Sequence, residues 1–182
     1  FPKSILIQNI LGVVHTELKN YKLAKEFFIK VVNLNPKYTD GYYNLANIFM
    51  KLNEEEKAIE NYNKVINLDK NYFKAHNNLG NIYRRKGLNK KAIELYLSTL
   101  EINSNYKVAY YNLAGALQFY NINVENKNIN KYLLYLLKEK IIVRPNSIAS
   151  NVLNSLFLNT DLKENLSLVK KKITNKEFNY IL

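Results

Sequence analysis

Apolar residues in this chain come in stripes at helical spacing, separated by short polar breaks. Tyr42, Leu45, Ala46 and Phe49 form one stripe, and Ala58, Ile59, Tyr62, Val65 and Ile66 form the next. Their intervals stack side chains on one face of a helix. Polar stretches such as "KLNEE" and "RKGLNK" separate the two stripes of a pair, while "NLNPK", "NLDKN" and "INSNY" separate one pair from the next. Such breaks suit tight connections. Pro36 reinforces one of them, because proline lacks an amide donor and its ring collides with the preceding helical turn. The pattern predicts an all-α chain of consecutive helix pairs.

The pairs recur on a fixed period. "YYNLAN", from Tyr42 to Asn47, returns 34 residues later as "HNNLGN" from His76 to Asn81, and again as "YYNLAG" from Tyr110 to Gly115. At that offset Leu11, Leu45, Leu79 and Leu113 share a column, followed directly by Gly12, Ala46, Gly80 and Ala114. His15, Phe49, Tyr83 and Leu117 make a large column; Ala24, Ala58 and Ala92 make a small one. Phe28, Tyr62 and Tyr96 make an aromatic column, and Tyr38, Tyr72 and Tyr106 fall in the turns that close the units. The small columns have a steric purpose. Where two antiparallel helices cross closely, a residue no larger than Ala lets the backbones approach while large neighbours fill the space beside them.

These columns resemble the tetratricopeptide repeat family, whose 34-residue unit carries a Leu-Gly pair, an aromatic after it, an Ala opening the second helix, another aromatic and a closing Pro. The resemblance covers roughly Ile5 to Asn105 as three full units, and Tyr106 to Phe119 as the first helix of a fourth. It implies a right-handed α-solenoid, or superhelix, of helix-turn-helix repeats with a helical C-terminal extension. The units expected are residues 5–38, 39–72 and 73–106, a distorted fourth at 107–145 with an insertion, and a helical cap or the start of a further domain at 146–182.

The departures lie after Phe119. Pro145 follows Pro36 by 109 residues where three periods give 102, so "YNINVENKN" holds an insertion of seven. Leu133 stands where the other units have Ala24, Ala58 and Ala92, which predicts a wider crossing. Beyond Pro145 the period fails, but Leu162, Leu166, Val169 and Ile173 keep a helical stripe. Asp161 with Glu164, and Thr174 with Glu177, have the spacing of capping boxes at helix starts. Terminal units of a stacked array must cover the last apolar face, and this tail suits that part.

Composition narrows the function classes. With 47% hydrophobic residues in 182 the chain can build a core. No run reaches the roughly 18 to 20 apolar residues of a membrane span, and "FPKSILIQNI" lacks the marks of a secretion signal. The start at Phe1 and the apolar pattern still running at "FNYIL" suggest a segment of something longer. The absence of cysteine excludes disulfides, cysteine metal sites and a cysteine nucleophile. The compartment expected by default is the cytoplasm. A net charge of +12 favours acidic partners, although heavy use of Lys, Asn, Ile and Tyr also reads as composition bias on solvated faces.

In a stacked array the first helices line a concave groove. Asn44, Asn78 and Asn112 stand one residue before the Leu column, and Asn47 and Asn81 follow one helical turn along the same face. An amide side chain both donates and accepts, which suits it to an extended peptide backbone. The column resembles the asparagine ladder in the tetratricopeptide region of protein O-linked N-acetylglucosamine transferases, which implies peptide contact for Asn44, Asn78 and Asn112; Ile10 breaks it in the first unit. Tyr43 and Tyr111 flank the ladder. Lys51, Lys74, Arg84 and Arg85 are the basic groove candidates on first helices. With Asn9, Asn44 and Asn78 they partly resemble the clamp by which some tetratricopeptide proteins hold acidic chaperone tails, although only Lys74 matches that clamp in charge.

Other chemistry finds little support. Basic residues and exposed aromatics could serve nucleic acid, yet no RNA-reading motif is present, and nucleic acid is not the expected partner. His15 shares the column of Phe49 and His76 that of Tyr42, so both read as packed repeat residues. "NLGN" is a helix phrase rather than a phosphate loop, and the Lys170 to Lys172 run reads as the solvated side of a helix. No cofactor, metal, membrane span or small-molecule substrate is expected, and no catalysis within this segment. The function expected is a protein-interaction scaffold that holds an extended peptide, with acidic segments favoured by Lys74, Arg84 and Arg85. The alternative is the substrate-presenting arm of a larger glycosyl-, methyl- or sulfotransferase.

Overall fold

The computed structural model describes residues 4–118 together with residues 131, 132, 135 and 136. The expected insertion, the close-packing departure at Leu133, the capping boxes and the C-terminal helices lie outside the described residues. Seven helices run through residues 4–118: α1 (Ile5–Glu17), α2 (Tyr21–Leu34), α3 (Thr39–Lys51), α4 (Glu55–Leu68), α5 (Phe73–Arg85), α6 (Asn89–Ile102) and α7 (Lys107–Leu117). The fold is the all-α helix-turn-helix repeat class that the 34-residue period predicts. Contacts divide the chain into two compact units, residues 1–86 with α1 to α5 and residues 87–182 with α6 and α7.

Two kinds of turn, each repeated on the same period, set this architecture. Within a pair, the first helix ends in a left-handed residue, Lys19 (φ 60°) after α1 and Asn53 (φ 60°) after α3, with Gly87 (φ 73°) in the same column. Asn20 N–H then donates back to His15 O and Glu54 N–H to Phe49 O, both at 2.8 Å, while Lys19 N–H and Asn53 N–H reach Thr16 O and Met50 O. This double closure satisfies carbonyls that a helix end otherwise leaves open. Between pairs, the second helix ends in an extended Asn or Asp: Asn35, Asp69 and Asn103. Each side chain accepts from the N–H two residues on, at 3.0 Å from Lys37, 2.9 Å from Asn71 and 3.1 Å from Asn105. The sequence reading gave this closure to the polar stretches, with Pro36 reinforcing one of them. Lys70 and Ser104 occupy the same column in turns of the same geometry, so the Asx side chain is the common element and Pro36 an addition to it.

In the first unit α1 packs on α2 and α3 on α4, while α2 bears on α3 and α4 on α5. Ala24, Ala58, Phe28, Tyr62, Leu45 and Leu79 of the repeat columns are all buried in its core. Gly12 shows why the small column is small: a Cβ there would lie 2.6 Å from Cε1 of Phe28. The acidic turn Glu54–Glu56 is held from both sides. Lys25 of α2 reaches Glu54 at 3.2 Å, Arg85 reaches Glu55 at 2.8 Å and Lys86 pairs with Glu56. In the second unit α6 packs on α7 around buried Ala92, Tyr96, Leu100 and Leu113, and the Tyr110 ring meets Tyr132 and Tyr135 at 6.1 and 4.1 Å.

Candidate peptide-binding cleft

A cleft of about 370 Å³ opens between α3 and α5, lined by Asn47, Met50, Lys51, Tyr62, Asn78, Asn81, Ile82 and Arg85. The spacing of first-helix residues builds it. Asn47 and Lys51 lie one turn apart on α3, and Asn78, Asn81 and Arg85 lie on one face of α5. Tyr62 comes up from α4 beneath them. Its hydroxyl donates to Asn47 Oδ1 at 2.5 Å, and Asn78 Nδ2 shares its two N–H groups among Asn47 Oδ1, Tyr62 Oη and Tyr43 Oη at 3.2, 3.3 and 3.3 Å. Burial pushes the Tyr62 phenol well above the ordinary tyrosine value, so it stays a neutral donor. Asn78 Oδ1 accepts from Asn77 Nδ2 at 3.3 Å.

What remains on offer follows from these bonds. The amide N–H groups of Asn47 have no partner among the described residues, and neither has the exposed ammonium of Lys51. Arg85 lines the same wall with its guanidinium tied to Glu55 and 3.9 Å from Met50 Sδ. The cleft can therefore present amide donors and positive charge, side by side, to carbonyl or carboxylate oxygens.

Three tetratricopeptide family models match the chain: TPR repeat over residues 46–87, and Tetratricopeptide repeat over residues 7–38 and 73–106. This chain belongs to the tetratricopeptide repeat family. Solved structures of tetratricopeptide proteins are similar. The crystal structure of MamA is 25% identical with a TM-score of 0.65, over 76% of this chain and 80% of that one. The first TPR of Spaghetti (RPAP3), bound to the HSP90 peptide SRMEEVD, is 20% identical with a TM-score of 0.61, over 65% and 94%. The Arabidopsis OM64 TPR domain is 20% identical with a TM-score of 0.59, over 62% and 93%. No curated protein sequence matches the chain.

The structure distributes the predicted site residues of the tetratricopeptide array among several settings. Asn47, Asn78, Asn81 and Arg85 share the cleft. Asn44 lies a turn away and donates to Asn9 Oδ1 at 3.3 Å, joining α1 to α3. The Tyr43 ring packs against Tyr62 and Tyr72, with centroids 6.0 and 5.0 Å apart. Lys74 and Arg84 are exposed on α5 and do not line the cleft; Asn112 and the exposed Tyr111 lie on α7 in the second unit. His15 stacks on Phe27 at 5.3 Å, and His76 Nε2 lies 3.0 Å from Lys70 O. Among the described residues no cluster of His, Asp or Glu could hold a metal, and no helix is long and apolar enough to cross a membrane.

Three contributors escaped the sequence reading. Tyr62 stood in the aromatic packing column, and Met50 and Ile82 stood in no column. Tyr62 carried a signal: a tyrosine at a buried position needs a partner for its hydroxyl, and Asn47 is the polar residue nearest in register on the preceding helix.

Proposed function

We propose that this chain is a protein-interaction scaffold that seats an extended peptide across the α3–α5 cleft. The observation that carries the reading is the juxtaposition of the open Asn47 donors with the unpaired Lys51 ammonium, beside Asn78, Asn81 and Arg85. The amides meet backbone carbonyls, and Lys51 gives acidic side chains an advantage, joined by Lys74 and Arg84 where the peptide runs past the cleft. A peptide held by a similar repeat fold, as in the RPAP3 structure, supports the mode of binding.

The test is fluorescence anisotropy with labelled extended peptides, acidic and neutral, at low and moderate salt. The variant Asn47→Ala/Asn78→Ala, folded by circular dichroism, is expected to lose about tenfold in affinity across all sequences. Lys51→Glu, at an exposed position, is expected to abolish the preference for acidic peptides and the salt dependence with it. Wild-type binding by both variants would reject the reading.

A further inference from the structure

The acidic turn Glu54–Glu56 has a counterpart one period earlier in which the charges are missing or reversed. At the acidic turn Arg85 reaches Glu55 and Lys86 pairs with Glu56, so two ion pairs bridge the turn and the end of α5. One period earlier Tyr21 stands for Glu55, Lys22 for Glu56, Lys51 for Arg85 and Leu52 for Lys86. Neither ion pair can form there. A notch of about 390 Å³ opens instead between the α1–α2 turn and the end of α3, lined by Lys19, Asn20, Tyr21, Lys22, Leu23 and Leu52. Its two walls come from two successive repeats, and both are described residues.

The lining has two characters. Tyr21 and Leu52, both half-buried, and the exposed Leu23 give an apolar seat. Lys19 and Lys22 stand exposed beside it, and their ammonium groups have no partner among the described residues. Glu17 and Glu26, the nearest acids along the chain, pair with neither, and Glu54 is taken by Lys25 and Lys57. Like charges that no acid answers attract an anionic ligand. Exposed ion pairs alone contribute little, so the occupant that gains most also fills the apolar seat. The notch meets the peptide cleft at the end of α3, where Lys51 lines the cleft and Leu52, the next residue, lines the notch.

We propose that the notch is a second subsite for the peptide held in the α3–α5 cleft. The peptide runs past the end of α3, seats an apolar side chain among Tyr21, Leu23 and Leu52, and sets the carboxylates on either side of it against Lys19 and Lys22. It supplies from outside the acids that Glu55 and Glu56 supply within the chain one repeat on. This subsite rests on the reading of the cleft as a peptide seat, and it adds a sequence preference: an apolar residue flanked by acids, beyond the part that fills the cleft.

The probes are a neutral labelled peptide that fills the cleft and the same peptide extended, at one end or the other, by Glu-Leu-Glu or by Glu-Ser-Glu, each titrated with the intact chain by fluorescence anisotropy. Glu-Leu-Glu at one of the two ends is expected to tighten binding about tenfold, and Glu-Ser-Glu to forfeit most of that gain, because the leucine supplies it. Lys22→Glu/Leu52→Lys gives the notch the ion pair that Glu56 and Lys86 make one repeat on, and should cancel the gain. Lys22→Glu alone, at an exposed position, leaves the apolar seat intact and should cut the gain about threefold. Neither variant should move the affinity of the neutral peptide. No gain from either extension, an equal gain with serine, or a gain that survives both variants would overturn the subsite and leave the cleft standing. A neutral peptide that binds Asn47→Ala/Asn78→Ala as tightly as wild type would remove the cleft, and the subsite with it.

Discussion

Asn78 makes more polar contacts than any single column position in the sequence suggests, and it makes them because Tyr62 lies beneath it. The two side chains, with Asn47 and Tyr43, tie α3, α4 and α5 together at the floor of the cleft. Tyr62→Phe removes one donor from Asn47 and one acceptor from Asn78 while keeping the ring. Urea denaturation should show a loss of about 1 to 2 kcal/mol, the usual cost of leaving a buried polar partner unsatisfied. The asparagine column was legible in the sequence, since period and register alone place its members on one face. Their individual duties were not. Asn44 turns to Asn9 and Asn78 to Tyr62 because of side-chain depth and rotamer, which depend on packing that a one-dimensional pattern does not carry.

Between residue and molecule, the turns decide how the helices are joined. The left-handed position after each first helix is filled by Lys19, Asn53 and Gly87. Lysine is the least suited of the three to positive φ, since its Cβ crowds the following carbonyl and it lacks the short polar group that lets asparagine adapt. Lys19→Gly is expected to stabilise the chain by about 1 kcal/mol in the same denaturation assay, net of glycine's greater freedom when unfolded. The break "KLNEE" was legible as a connection, but not the use made of its acids. Lys57 and then Lys25, both hydrogen-bonded to Glu54, hold its carboxyl below the ordinary glutamate range. A lowered folded value means that this contribution is present above the unfolded value and fades as pH falls through the folded one. Glu54→Gln should therefore lower the unfolding midpoint at neutral pH. The gap to wild type should close on acidification below about pH 4.

Across the whole molecule, fewer cations are free than the 27 Lys and Arg residues suggest. Lys25, Lys57, Arg85 and Lys86 all serve the Glu54–Glu56 turn. The cations left to act on a ligand in the first unit include Lys51 and, outside the cleft, Lys74 and Arg84. The fold was readable at this scale because a repeat writes the same packing problem several times, and the small column at Ala24, Ala58 and Ala92 has one steric solution. The exposure of Ile7 and Val14 was not readable, because the period puts them in the columns of Ala75, Ile48 and Ile82, which are buried. The helix pairings have one more outcome, in time. Each helix of the first unit packs mainly on the next in sequence. Loops this short cost little entropy to close, so chains with such local contacts fold in microseconds to milliseconds. Ribosomes add about 5 to 20 residues per second, so another 34-residue unit takes seconds to emerge. An emerging unit therefore has ample time to pack on the units made before it, on which the burial of its apolar face depends, and the array grows in the order of its synthesis.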